Sequence, residues 1–228
     1  MSAEKGPAAP AAEPKVPEAG SRSEGVKMIV TMTLFMLVAA ALLGFVYAQT
    51  KPRIEAARRE EKGQAFGWIL PAFDNRPLDT GRCAEPVGAP PGEACRKSIY
   101  TATRGGATVG YAVETFTTAG FGPRIDLLVA GTPDGTVTGV YILGHQETPG
   151  LGAKITIGHK AWKDPGGVEG RPFILQFAGK RLGVFDFRVK KDGGQVDAIT
   201  ASTISSRAVS AAIEDALRLI VAPQGGAP

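Results

Sequence analysis

The sequence predicts an α+β protein with a single N-terminal transmembrane helix, followed by a domain with a mostly antiparallel sheet and flanking helices. Three observations support this class. An uncharged apolar run occupies residues 28–48, four strand-like runs lie between residues 98 and 143, and apolar residues recur at helical spacing from 205 to 221. The 228 residues suffice for one folded unit in addition to the membrane segment.

The N-terminal region divides into a polar arm and an apolar helix. Residues 1–26 are rich in Ala, Pro, Glu and Lys and contain almost no large apolar side chain, which predicts a disordered arm. Residues 27–49 are predicted to form the transmembrane helix, because the uncharged run at ~1.5 Å per residue matches a hydrocarbon core of ~30 Å. A cleaved signal peptide is the alternative, and the lack of a small-residue cleavage site directly after the run disfavours it.

Residues 50–97 are predicted to hold a membrane-proximal helix and a loop rich in Pro and Gly. The helix covers residues 54–70 and ends before Pro71. Cys83 and Cys95 lie in the loop, and a disulfide between them is their simplest use. Such a bond indicates an oxidising compartment, while two free thiols remain the alternative because spacing alone shows no bond.

The main domain is predicted to span residues 98–222, ahead of a flexible tail at 223–228. Its strands are expected at residues 98–103, 108–117, 125–130 and 137–143. The Asp134-Gly135 pair is a hairpin signal and favours antiparallel pairing of the last two strands. Residues 173–177 and 184–189 are either two strands or a helix and a strand. An amphipathic helix is predicted over residues 205–221.

Composition and missing motifs exclude several functions. The formal charge of +4 comes without a dense Lys/Arg cluster, so nucleic acid is not an expected partner. Two cysteines and two histidines do not have the spacing of a metal site, so no metal is expected. The sequence contains neither G-x-G-x-x-G after a strand nor a P-loop motif, and it shows no Ser/His/Asp set. A redox role must therefore rest on a cofactor held in another way.

Two segments carry residues suited to binding chemistry. Residues 144–154 (GHQETPGLGAK) follow a predicted strand, and their glycines allow the backbone to approach a flat ligand, although an ordinary turn is the alternative. Residues 197–207 (DAITASTISSR) lead into the last helix, whose start favours a phosphate. The alternative there is that Ser202 or Thr203 is only an N-cap.

Together these segments resemble the G subunit of the Rnf electron-transport complex. The resemblance rests on HQETPGLGAKI (145–155) and KKDGGQVDAITASTISSRAV (190–209), and it extends over about residues 28–221. It also includes LPAFDN (70–75), DGTVTGV (134–140) and FAGK (177–180). In that family a separate flavin transferase joins FMN, through its phosphate, to a threonine of the second segment.

The resemblance implies a covalent FMN site on this chain. Thr203 corresponds to the attachment threonine, and the rest of its motif corresponds to Asp197, Thr200, Ala201 and Ser202. The residues implied to lie against the flavin are His145, Glu147, Thr148, Gly150, Leu151, Gly152 and Lys154. The family has Gly and Ala where this chain has Ala201 and Ser202. If the Gly position needs a positive φ, Ala201 is strained by ~1 kcal/mol or more.

The implied function is a flavin-carrying electron relay in a membrane complex that couples electron transfer to ion translocation. No catalytic side chains are expected, because the flavin supplies the redox chemistry. The implied partners are the other subunits of an Rnf-type complex, the flavin transferase and membrane lipid. One alternative is the C subunit of a sodium-translocating NADH:quinone reductase, although LPAFDN and the modest length favour Rnf. The other is a membrane-anchored assembly or binding protein without flavin.

The sequence and the resemblance disagree about orientation. The flank before the apolar run carries three basic residues, Lys15, Arg22 and Lys27. The flank after it carries five, Lys51, Arg53, Arg58, Arg59 and Lys62, and by the positive-inside rule this places the domain in the cytoplasm. The resemblance implies the cell inner membrane, with a cytoplasmic N-terminus and an extracytoplasmic, periplasmic domain. Because long domains translocate largely regardless of flanking charge, the periplasmic placement is the prediction.

Overall fold

The computed structural model describes residues 22–85, 95–156 and 172–222. These residues divide into two compact units, one ending at Glu55 and the other beginning at Ala56. The predicted arm up to residue 21 and the predicted tail at 223–228 lie outside the described residues.

Helix α1 (Arg22–Ile69) contains both the apolar run and the predicted membrane-proximal helix. It begins within the segment predicted to be an arm. The large apolar side chains of residues 28–47 are each at least 50% exposed, which suits a segment that contacts lipid. The hydroxyls of Thr31 and Thr50 donate to the carbonyls of Lys27 and Val46, at 2.8 and 2.9 Å. This helix is long and apolar enough to cross a membrane.

The second unit is built on a five-stranded antiparallel sheet in which the strands follow one another in chain order. Its strands are β1 (Arg82–Glu85), β2 (Lys97–Arg104), β3 (Ala107–Thr117), β4 (Ile125–Gly131) and β5 (Val137–His145). The four predicted strands are confirmed, and Gly135 takes the left-handed φ of 82° that the turn between β4 and β5 requires.

Strand β1 is an edge strand that the sequence did not predict. It pairs with β2, where Cys83 lies opposite Ser98. Cys83 is bonded to Cys95, with their Cα atoms 5.7 Å apart, so the alternative of two free thiols is wrong. The disulfide fastens this short strand to the start of β2. Residues 86–94 of the predicted loop lie outside the described residues.

Both faces of the sheet are buried, because successive strand residues point to opposite sides. One face packs against helix α2 (Thr203–Val221), as when Leu127 and Val129 join Ile213 in one core cluster. The other face packs against the last turns of α1, where Leu128 and Tyr141 join Phe66, among others. A Cβ on Gly139 would lie 2.5 Å from the Cβ of Ile69, so glycine is needed where α1 crosses β5.

The two ambiguous segments form neither of the expected pairs of elements. Phe173–Phe177 is a 3₁₀ helix that buries its aromatic rings, so a helix was the better alternative there. Residues 184–189 contain no strand, only turns and an isolated bridge at Val189. The carboxylate of Asp186 accepts a hydrogen bond from the backbone N–H of Arg188 at 3.0 Å. This local side-chain bond competes with strand pairing.

Candidate functional site

The two chemically suggestive segments meet at one cavity of about 520 Å³. The loop after β5 forms one wall, and the first turn of α2 forms the other. The residues that line the cavity are Phe121, Glu147, Thr148, Leu151, Gly152, Ala201, Ser202, Thr203, Ile204 and Ser205. Its volume lies in the range usual for small-molecule and cofactor pockets, ~300–1,000 Å³.

Glu147 is the central polar residue of this cavity. It is only 5% exposed, yet both carboxylate oxygens have hydrogen-bond partners. Oε1 accepts from the backbone N–H of Gly122 at 3.0 Å, and Oε2 accepts from Oγ of Ser205 at 2.6 Å. The carboxylate thereby joins the β3–β4 turn, the loop after β5 and the first turn of α2.

Three glycines make room for this carboxylate and its loop. A Cβ on Gly152 would lie 2.4 Å from Oε2 of Glu147, and one on Gly120 would lie 2.5 Å from Oε1. A Cβ on Gly122 would lie 2.4 Å from the carbonyl oxygen of Gln146. The glycines of residues 144–154, Gly152 among them, were predicted to let the backbone approach a flat ligand. For Gly152 the close neighbour is instead a side chain of the same loop.

The start of α2 leaves its first N–H groups without a side-chain cap. Ser202 occupies the N-cap position, but its hydroxyl makes no cap hydrogen bond and lies 3.4 Å from Oγ of Ser205. Ser206 instead ties the preceding turn to the helix, since its hydroxyl accepts from the N–H of Ile199 at 3.0 Å. Thr203 is the first helical residue and is half-buried beside the cavity. Uncapped N–H groups at a helix start are suited to an anion.

Ala201 has a φ of 61° and is the only non-glycine residue with positive φ in the described part of the chain. This is the position where the resembling family has glycine. An alanine in the left-handed region costs roughly 1–2 kcal/mol because its Cβ approaches the following carbonyl oxygen. Strain at Ala201 was predicted on the condition that this position needs a positive φ, and the observed φ meets that condition. The strain arises from the backbone turn that leads into α2.

Replacing Ala201 with glycine is expected to raise the free energy of unfolding by about 1 kcal/mol, because glycine adopts this φ without a steric penalty. Urea unfolding of the full chain in detergent micelles, followed by circular dichroism, measures the change. Ala211→Gly is the matched control at an exposed position inside α2, and it is expected to lower stability by about 1 kcal/mol. A loss of stability in both variants would contradict the assignment of strain to Ala201.

The structure brings only some of the predicted site residues to the cavity. Glu147, Thr148, Leu151 and Gly152 line it from the loop, and Ala201, Ser202 and Thr203 line it from the helix side. The predicted residues that do not line it are His145, Gly150, Lys154, Asp197 and Thr200.

Two of these outlying residues have other roles in the structure. Asp197 is exposed and forms an ion pair with Lys190 at 2.6 Å. The Nδ1 atom of His145 accepts from the N–H of Glu147 at 3.1 Å, so the imidazole supports the loop from the end of β5.

Three lining residues were not singled out from the sequence. Phe121 is 72% exposed and Ile204 is 51% exposed, and together with Leu151, at 42%, they form an apolar rim around the cavity. Ser205 is the donor to Glu147. The sequence signal for Phe121 is its place between two glycines in the connection from β3 to β4, because such connections run over the protein surface. Ser205 carries no separate signal within its run of hydroxyl residues.

An exposed ion pair flanks the first turn of α2. Arg207 donates through Nε and Nη2 to the two carboxylate oxygens of Asp192, both at 2.6 Å. These hydrogen bonds hold the pKa of Asp192 below its usual value. The pair connects α2 to the 3₁₀ turn Lys190–Asp192. It therefore helps to orient the start of the helix beside the cavity.

Comparison with known proteins places both segments in one family domain. The FMN-binding domain family matches residues 120–218. The G subunit of the ion-translocating oxidoreductase complex of Pseudomonas aeruginosa is 34% identical over 208 residues, which cover 88% of this chain and 91% of that protein. The G subunit of the same complex of Cereibacter sphaeroides is 35% identical over 90% of this chain and 89% of its own length.

A further sequence relative and a solved structure complete the comparison. The corresponding G subunit of Vibrio cholerae is 32% identical over 83% of this chain and 87% of that protein. Among solved structures, the crystal structure of Shewanella oneidensis NqrC is 23% identical, with a TM-score of 0.41 and coverage of 62% of this chain and 65% of that one.

Proposed function

Since the chain belongs to the family of G subunits of ion-translocating oxidoreductase complexes, we propose that it carries FMN joined through the phosphate to Thr203. The FMN-binding domain makes it a flavin electron-relay subunit of an ion-translocating complex. When bound, FMN supplies one- and two-electron transfer. The residues of the chain bind and orient this group, and none of them needs to act as an acid, base or nucleophile in the electron transfer.

The observation that carries the proposal is the position of Thr203. Its side chain lines the cavity at the first position of α2, next to helix N–H groups that no described side chain caps. A phosphoester on its hydroxyl places the phosphate charge at the positive end of the helix dipole, where those N–H groups are suitable donors. A hydroxyl deeper in the helix, such as that of Ser206, is fully buried and already bonded.

The apolar rim of Phe121, Leu151 and Ile204 supports the placement of the flavin ring. Large apolar side chains this exposed are uncommon in the domain, and these three surround one cavity. Contact with a flat aromatic ring removes their surface from water, which is favourable at about 25 cal/mol per Å². The phosphate end is therefore expected at α2, with the isoalloxazine ring against the rim.

Peptide mass spectrometry tests the attachment site. Trypsin is expected to release residues 192–207, which include Thr203 and several other hydroxyls. In protein from cells that contain a flavin transferase, we expect this peptide to carry one FMN as a phosphoester. Fragment ions should place the added mass on Thr203. Added mass on Thr200, Ser202, Ser205 or Ser206 instead would reject Thr203 as the acceptor.

We also propose that the domain lies in the periplasm, with the N-terminus of the chain in the cytoplasm and α1 in the inner membrane. The disulfide between Cys83 and Cys95 supports this orientation, because such bonds persist in oxidising compartments. The basic residues after the apolar run oppose it, but that bias weakens for long translocated domains. The proposed partners are the other subunits of the complex, a flavin transferase for maturation and the surrounding lipid.

A reporter fusion after Val221 distinguishes the two orientations. With alkaline phosphatase, which is active only after export, we expect high activity in intact cells. With green fluorescent protein at the same position, exported through the general secretory route, we expect no fluorescence. The opposite pattern would place the domain in the cytoplasm. Both fusions contain residues 1–221 and therefore share the same membrane segment.

A further inference from the structure

A second and larger cavity, of about 680 Å³, lies on the face of the sheet that packs against α1, away from the 520 Å³ cavity beside Thr203, which we call the flavin cavity. Its walls are the part of α1 around Arg58, the start of β2 and the α1-facing side chains of β3 and β4. It shares no lining residue with the flavin cavity. The function proposed above gives it no role.

Each carboxylate that lines this cavity already has a partner. Glu114 accepts from Nζ of Lys62 at 2.5 Å and from the phenol of Tyr100 at 2.7 Å. Burial, together with the neighbouring Glu114, raises the pKa of Tyr100, so this phenol remains a hydrogen-bond donor at physiological pH. These contacts neutralise the charge of Glu114 locally.

The other two carboxylates of the cavity, Asp126 and Glu61, also accept hydrogen bonds from neighbouring side chains. Asp126 accepts from Nε of Arg124 at 2.6 Å, and Glu61 accepts from the phenol of Tyr141 at 3.1 Å. Burial and Glu61 raise the pKa of Tyr141 to about 12, so this donor also stays protonated. Asp126 and Glu114 are thus paired with cations, whereas Glu61 accepts from a neutral phenol and keeps its negative charge.

Two arginines of the lining remain without a carboxylate partner among the described residues. Arg58 lies on α1, and Arg96 directly precedes β2. The guanidinium of Arg96 lies 5.6 Å from the ring centre of Phe116, and that of Arg124 lies 4.2 Å from it. The aromatic ring contacts Arg96 through a cation–π interaction, and among residues 22–85, 95–156 and 172–222 no hydrogen-bond acceptor engages its guanidinium. The lining holds four cationic side chains (Arg58, Lys62, Arg96 and Arg124) and three anionic ones (Glu61, Glu114 and Asp126), so the cavity has an excess of one positive charge.

We infer that this cavity binds a phosphate-bearing anion through Arg58 and Arg96. Guanidinium groups match phosphate oxygens with two parallel hydrogen bonds, so two of them in the lining of one cavity form a suitable anion site. The phosphate can belong to a phospholipid headgroup or to a soluble ion. Arg58 follows the last residue of the apolar run, Ala48, by ten positions in the same helix.

Matched double variants test the inference. Arg58→Gln/Arg96→Gln removes the two cavity arginines. Arg59→Gln/Arg104→Gln removes two other exposed arginines, one from α1 and one from the end of β2, and so lowers the net charge equally. The full chain is purified in detergent with each pair. Inorganic phosphate is titrated calorimetrically at constant ionic strength, and native mass spectrometry measures retained phosphatidylglycerol against phosphatidylcholine.

The expected result is a loss of at least tenfold in binding in the cavity pair alone. Loss of phosphatidylglycerol retention assigns the phosphate to a lipid, and loss of inorganic phosphate binding assigns it to a soluble ion. Equal binding in the cavity pair and the control pair with both probes would overturn the inference. Circular dichroism checks that both pairs fold, which we expect because all four side chains are exposed.

Discussion

Replacing Thr203 with valine is expected to abolish covalent flavin, so that the denatured chain shows no fluorescence on a gel under ultraviolet light. Valine keeps the branched shape of threonine but lacks the hydroxyl oxygen that the phosphoester requires. The effect is therefore a complete loss of the label with little change in folding. The measurement uses cells that contain a flavin transferase, with equal amounts of chain loaded for each variant.

Thr118→Val is the matched control for this experiment. Thr118 is an exposed threonine outside both the cavity lining and the attachment segment at 197–207. Its replacement is expected to leave the fluorescent band in place. A band that persists in Thr203→Val would move the attachment to another residue. A wild-type chain without fluorescence would favour the membrane-anchored protein without flavin.

Replacing Glu147 with alanine is expected to lower the free energy of unfolding by roughly 3 kcal/mol. The substitution leaves the N–H of Gly122 and the hydroxyl of Ser205 without their acceptor, and each unsatisfied buried group costs ~1–3 kcal/mol. It also removes packing around Gly152. Because the carboxylate connects the loop to α2, flavin attachment at Thr203 is expected to fall as well. Urea unfolding and the gel assay measure the two effects.

Two variants show whether the hydrogen bonds of Glu147 are responsible. Glu147→Gln keeps one carbonyl oxygen for Gly122 and is expected to cost less than alanine. Gln146→Ala changes an exposed neighbour in the same loop and is expected to stay within about 0.5 kcal/mol of the wild type. A loss of less than ~1 kcal/mol in Glu147→Ala would show that the carboxylate does not hold the site together.

The elements that depend on local patterns could be predicted from the amino-acid sequence alone. The uncharged run predicted the apolar part of α1, because twenty or so apolar residues have few other uses. Alternating and β-branched residues predicted the strands from β2 to β5, and the Asp134-Gly135 pair predicted the hairpin between the last two. Helical spacing predicted α2 to within two residues of its start at Thr203. The resemblance of two short motifs then indicated the FMN-binding domain.

Features that depend on distant contacts required the three-dimensional structure. Glu147 bonds Ser205 across 58 positions, and no local pattern identifies such a partner. Phe121 reaches the cavity because the β3–β4 turn lies beside the loop after β5. Edge strand β1 forms only where β2 supplies its hydrogen bonds, and the φ of Ala201 follows from how the chain enters α2. Periodicity reports which side of an element is buried, whereas these features depend on which elements the fold brings together.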